Sequence, residues 1–518
     1  MSDQRYMKRS DNLIPSVEEA FRRSDGTSKM HLVLGQCAWL GLFLVQLAMT
    51  DVYELSDEQS IDALSVFLGL FALWVFWSWR AAIGHLVDLY SFFFTTLLLF
   101  SGGQALLNVF GLLPRGMLNG QFPAYEIRAA LTLVIWCLLG FHTGALLNAS
   151  RYRGSVETVW HRQEIADVVR QVGLILVLIS VAPALYELYL DASAIQTFGY
   201  GGQFYLAKSA TGIDAWTKIL SMFLVPGALL LLSGSKGMRM NVIVAWLAIA
   251  GPAISYFLLG IRNVGVRGLV ALLWLHSAAI RPIRMWVVAL AGFSALLLIP
   301  GLAAVRSRAF SIGGTLESLQ QAYATMDNPL VLALTEMGGT LLTVVHTMNL
   351  VPAVRPHEWG MGYVVALTTV FPNLFWDLHP AIQAGLPSYW LMKEIDPYAA
   401  NTGFTFGYSM IAEAYLNFSS IGAPLAMSVM GYLLSAFVCW SLRFPDALKL
   451  ALQAILMSFV LFVARAESHL IVRPIFWECL VPYWFILYLV YRRTRATAFV
   501  TDRPMLRDRV DGPSAASI

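Results

Sequence analysis

This sequence has little charge. Asp, Glu, Lys and Arg make up 13% of its 518 residues against 58% hydrophobic, and mean hydropathy is +0.63. So little charge cannot solvate an ordinary globular surface, which excludes a soluble domain and indicates a polytopic, all-α integral membrane protein. The formal net charge is only +3 and the basic residues are dispersed, so no nucleic-acid partner is indicated. Cys37, Cys137, Cys439 and Cys479 all lie in apolar stretches without CxxC spacing; neither a disulfide framework nor a zinc site is indicated, and they read as buried small hydrophobes. There is no GxxxxGK[ST], no GxGxxG between a strand and a helix, no HExxH and no DxD, so nucleotide hydrolysis and nucleotide-sugar use have no support and no cofactor is expected. His31, His85, His142 and His276 are scattered on apolar stretches without a shared face, which argues against haem or metal. No period of about 20 to 50 residues recurs, which excludes a solenoid.

What is present is a series of apolar segments of spanning length. They lie near 31–50, 63–82, 87–107, 128–148, 172–190, 216–233, 241–260, 266–280, 285–305, 420–442, 448–464 and 474–491, twelve candidate helices. The polar start, with Arg5, Lys8, Arg9, Arg22, Arg23 and Lys29, carries no cleaved signal peptide. With this tail in the cytoplasm, 23 of the 35 Lys and Arg residues fall on inner segments, and the even span count returns Arg492, Arg493 and Arg495 to the same side. The expected organisation is a cytoplasmic tail (1–30), nine transmembrane helices (31–305), a large outer loop (306–419), three more helices (420–491) and a second cytoplasmic tail (492–518). Residues 329–351 are long enough to span, but Glu336, two glycines and His346 argue for a helix lying on or dipping into the outer surface.

The outer loop ends in Gly407 to Gly422. Helical spacing puts Met410, Glu413 and Asn417 on one face there, with Tyr415 close by, at the mouth of the next span. Such polar groups are expensive at a membrane boundary and read as functional by default. The loop is also rich in aromatics, among them Trp359, Tyr363, Trp390 and Tyr408, which suit either interface anchoring or the apolar faces of sugar rings. Six arginines break the charge rule by lying outside: Arg262 and Arg267 in a tight turn, Arg306 and Arg308 at a helix end, Arg465 and Arg473 in the last outer hairpin. Guanidinium binds phosphate oxygens bidentately, so the set suits a pyrophosphate or phosphate headgroup; the alternative is snorkelling to lipid, or pairing with Glu336, Glu358, Glu413 and Glu467. His357 and His469, in polar outer surroundings, are the histidines placed for proton transfer.

Residues 407–418, with the core Ala412-Glu413-Ala414-Tyr415-Leu416-Asn417-Phe418, resemble the signature of the O-antigen polysaccharide polymerases of the Wzy type, also called oligosaccharide repeat-unit polymerases. Gly265-Val-Arg-Gly268, Leu350-Val-Pro352 with Trp359-Gly-Met-Gly-Tyr363 and Phe371-Pro372, and Arg465 agree with that resemblance, which covers about 240–475. Ser419 departs from it, standing where glycine commonly follows Asn-Phe, and Arg262 adds a second arginine to the turn.

The resemblance implies a C-type glycosyltransferase fold in the inner membrane of a Gram-negative bacterium. A growing glycan on undecaprenyl pyrophosphate would be transferred, on the periplasmic face, to the non-reducing end of a lipid-linked repeat unit, without metal or nucleotide sugar. A chain-length regulator and a flippase would be its companions. The arginines would hold pyrophosphate; Glu413, or failing it His469, would take the acceptor's proton; Tyr408, Tyr415, Asn417, His357 and Trp359 would line the glycan path. Apolar neighbours should raise the Glu413 pKa, whereas Arg465 and Arg473 should lower that of His469. Competing readings are an O-antigen ligase using the same donor, disfavoured by the Glu413 signature, and a flippase or other transporter, disfavoured because the first six helices contain few interior charges. A scaffold is least compatible with the outer arginines.

Overall fold

The computed structural model describes residues 29–152, 163–198, 213–284, 328–371, 379–401 and 404–501, with scattered positions between 286 and 323. Apolar segments in lipid must satisfy their backbone hydrogen bonds internally, and no strand occurs among the described residues. The helices are α1 (Met30–Val52), α2 (Asp57–Ile83), α3 (Leu89–Val109), α4 (Ala124–Ala149), α5 (Gln163–Phe198), α6 (Ile213–Ser221), α7 (Leu224–Ser233), α8 (Arg239–Leu258), α9 (Arg262–Leu275), α10 (Pro329–Gly338), α11 (Leu341–Leu350) and α12 (Met361–Thr368). Then come α13 (Pro380–Gln383), α14 (Pro387–Ile395), α15 (Pro397–Asn401), α16 (Met410–Arg443), α17 (Ala447–Val463), α18 (His469–Pro474) and α19 (Val481–Thr501). Local chemistry sets several ends: Ser56 and Gln59 form a capping box on α2, and Asp88 and Asp446 cap α3 and α17.

Among the described residues, ten helices are long and apolar enough to cross a membrane, and 264–280 and 447–460 form two shorter apolar helices. The segments expected to span are mainly helical where they are described, 216–233 being divided into α6 and α7 by a turn at Met222 and Phe223, while 285–305 lies largely outside the described residues. The segment 329–350 forms α10 and α11, is among the ten by length and composition, and packs along α3, with Gln104 Nε2 donating to Thr335 O at 3.0 Å. A Cβ on Gly338 would lie 2.5 Å from Gln104 N. Without a side chain, Gly338 lets the two helix backbones touch.

The bundle is organised around α4. It meets α16 in the most extensive helix pair, and Gly140 and Gly144 lie so close to it that a Cβ would fall 2.3 Å from Pro424 O and 1.8 Å from Ser428 O. Small residues four apart replace a hydrophobic driving force, which lipid does not supply, with close van der Waals contact. Ser435 Oγ donates to Ala145 O at 2.9 Å across the same seam. Cys137, Cys439 and Cys479 are buried as expected, but Cys37 is exposed, because the face of α1 that carries it has no helix against it among the described residues. Among the described residues the first helices enclose one fully buried charged residue: Asp88, which caps α3 and accepts from Trp79 Nε1 at 2.8 Å.

Candidate functional site

The site is built on the broken start of α16. Ser409 caps the helix by accepting from Ile411 N, and Ser419, at φ 60° and ψ −172°, ends the first two turns. That backbone conformation belongs to glycine, so residues 410–418 form a short helix set apart from the long apolar part that follows. The face expected from spacing is the buried one: Met410, Glu413 and Asn417 all point inward.

A turn at 357–363 is clamped onto this short helix. Glu358 N donates to Leu416 O at 3.1 Å, Trp359 N to Asn417 O at 2.8 Å, and Gly362 N to Asn417 Oδ1 at 3.2 Å. Asn417 Nδ2 in turn donates to Glu413 O at 3.0 Å, so the amide bridges helix and turn. Trp359 (φ 53°) and Gly360 (φ 88°) reverse the chain, leaving the Trp359 indole 76% exposed at the mouth. His357 Nδ1 lies 3.1 Å from Tyr415 O, and Tyr415 Oη donates to Val351 O at 3.3 Å. Tyr408 Oη meets Thr347 Oγ1 at 3.0 Å, tying α11 to the site.

The last outer hairpin supplies the rest. The Glu413 carboxylate accepts from Ser468 N at 2.8 Å and from Ser468 Oγ at 2.6 Å. Next to it the buried Glu467 accepts from Ser388 N at 3.0 Å and from Ser388 Oγ, and His469 Nδ1 is 3.6 Å from its Oε1. Arg355 pairs with Glu358, donates to Gly385 O at 3.2 Å, and lies over the Trp390 ring at 4.9 Å. Glu358, Glu413 and Glu467 thus share one polar region. Burial pushes the Glu467 carboxyl up to about 7, against the Ser388 hydrogen bonds and the Arg355 charge, which pull it down. Burial likewise holds the Tyr363 and Tyr408 phenols above their ordinary range, and Glu413 adds to both.

Glu413, Asn417, Tyr408, Tyr415, His357 and Trp359 therefore come together as expected, with His469 one residue beyond the Glu413 partner. The arginines are placed differently. Arg465 turns to the chain leading into α16, donating to Phe406 O at 3.0 Å. Arg473 is half-buried on α18, and Arg267 is exposed on α9 within electrostatic reach of Glu478 and Tyr256. Arg262 begins α9, while Arg306 and Arg308 lie outside the described residues. The guanidinium seen to pair at the acidic cluster is Arg355, which the sequence reading left out although it stands two residues before His357. Ser468, Ser388 and His379 were also missed: serines carry no pattern signal, and His379, in electrostatic reach of His469, joins only through the fold.

An all-helical bundle of membrane-length helices with a buried polar cluster at the broken mouth of one of them defines a multi-pass membrane protein with a built site. The family model of the O-antigen polysaccharide polymerase Wzy matches residues 40–494, a span that includes every described site element, and the chain belongs to that family. Its general activity is the polymerisation of repeat units into polysaccharide. No curated protein and no solved structure matches the chain.

Proposed function

We propose that this polymerase joins lipid-linked oligosaccharide repeat units on the periplasmic face of the inner membrane, with both termini cytoplasmic. The donor is a growing glycan on undecaprenyl pyrophosphate and the acceptor a single lipid-linked repeat unit. The acceptor's hydroxyl oxygen attacks the donor's anomeric carbon, the anomeric C–O bond to pyrophosphate breaks, and undecaprenyl pyrophosphate leaves with the bonding pair. Glu413 takes the hydroxyl proton, with Glu467 and His469 beside it as a route onward. Arg267, Arg465 and Arg473, with Arg262, Arg306 and Arg308, offer fixed positive charge to the leaving pyrophosphate, so no metal ion or nucleotide sugar is required. The observation that carries this reading is the Glu413 carboxylate, buried within the family's signature stretch and bordered by Glu358, Glu467 and two phenols. A carboxylate shielded in this way suits a proton acceptor better than a water-exposed one.

The test is genetic and biochemical. A deletion strain should display surface polysaccharide of a single repeat unit, and the gene should restore the ladder. Purified protein in nanodiscs should elongate a synthetic undecaprenyl-pyrophosphate-linked repeat unit in the presence of a chelator. Full-length lipid-linked polymer accumulating in the deletion strain would instead indicate a ligase.

A further inference from the structure

The Tyr363 hydroxyl is shielded from solvent and has no hydrogen-bond partner among the described residues. Most of the other side chains in that position are helical serines, whose short hydroxyls can turn to the preceding carbonyls; a phenol oxygen, far from its own backbone, has no such option. Its place is well determined: Gly362, its neighbour, is hydrogen-bonded to Asn417, and its ring stacks on Phe418 at 5.9 Å. The oxygen lies in electrostatic reach of Glu413, Glu358 and Tyr408. A buried donor is costly to leave unpaired, and a site that keeps one has a use for it.

We propose that the Tyr363 hydroxyl is a substrate-contact group that binds a sugar hydroxyl of the acceptor, handing that hydroxyl toward the Glu413 carboxylate. The surrounding charge selects the ligand class: Glu413 and Glu358 repel a phosphate but accept from neutral hydroxyls, as a pyranose offers. Tyr363 O–H donates to the sugar oxygen, and the sugar O–H donates to a remaining lone pair of the Glu413 carboxylate, whose two oxygens also accept from Ser468. The inference rests on the polymerase reading above.

The test is Tyr363→Phe, purified in nanodiscs, with a saturating pyrophosphate-linked donor. The acceptor probe is a repeat-unit oligosaccharide on a lipid without pyrophosphate, which accepts but cannot donate. The variant should accumulate normally and melt at or above the wild-type temperature, while kcat/KM for the acceptor falls on the order of 10- to 100-fold, mainly through KM. A kcat/KM within twofold of wild type overturns the proposal. So does a clear loss of accumulation or melting temperature, since the hydroxyl would then have a partner inside the protein. If the wild type itself forms no polymer, the polymerase reading fails instead, which separates the two.

Discussion

Glu413 holds Ser468 twice, through the backbone N–H at 2.8 Å and the hydroxyl at 2.6 Å, across 55 residues of sequence. One carboxylate thereby joins the short helix of the signature to the start of α18. It does so beside Glu467 and Glu358, with no arginine hydrogen bond to the carboxylate shown among the described residues.

Glu413→Gln should separate holding the hairpin from moving a proton. Glutamine keeps one acceptor oxygen for Ser468 but turns an NH2 toward the other donor, so stability should fall by about 1–2 kcal/mol. Polymer should be absent from a surface-polysaccharide gel although the protein is present on a blot. Ser468→Ala removes the hydroxyl and keeps the N–H; it should lose about 1 kcal/mol and retain a shortened or weakened ladder. Near-native polymerisation by the glutamine variant would move the proton acceptor to Glu467 or His469.

Arg355 engages Glu358, the Gly385 carbonyl and the Trp390 face at once, a task for a planar fork of donors. Lysine supplies charge without that geometry. Arg355→Lys should therefore reduce polymer almost as far as Arg355→Ala, measured as ladder intensity at equal protein level. Recovery with lysine would show that charge alone suffices there.

Ser419 adopts a glycine conformation, φ 60° and ψ −172°. Strain of this kind costs on the order of 1–3 kcal/mol. Ser419→Gly should raise the melting temperature and leave polymerisation unchanged, whereas Ser419→Val should lower both. Thermal melts of the three proteins in the same detergent decide it, and a glycine variant no more stable than wild type would mean that the strain is already relieved locally.

Glu467 provides the pH dependence. Its carboxyl is raised from 4.5 to about 7 in the folded protein, so the folded state prefers the protonated form. The associated stability is fully present below the unfolded value near 4.5, declines as pH rises, and is lost above about 7. Wild type minus Glu467→Gln stability should accordingly fall between about pH 4.5 and 7 in melts at matched ionic strength. A flat difference would mean that Glu467 stays ionised throughout.

The membrane character, most of the helices and the shared inward face of Glu413 and Asn417 were legible in the chain alone, because apolar length and helical spacing are local properties. That 329–350 packs along α3 was not, since only the fold brings Gly338 against Gly103 and lets the two backbones touch. The acidic cluster was legible in part. Glu413 announced itself by its neighbours, but its partner Ser468, the Ser388 to Glu467 link and the unpaired hydroxyl of Tyr363 depend on three segments meeting at one point. Proximity of that kind comes from long-range packing, which leaves no period or motif in the sequence to read.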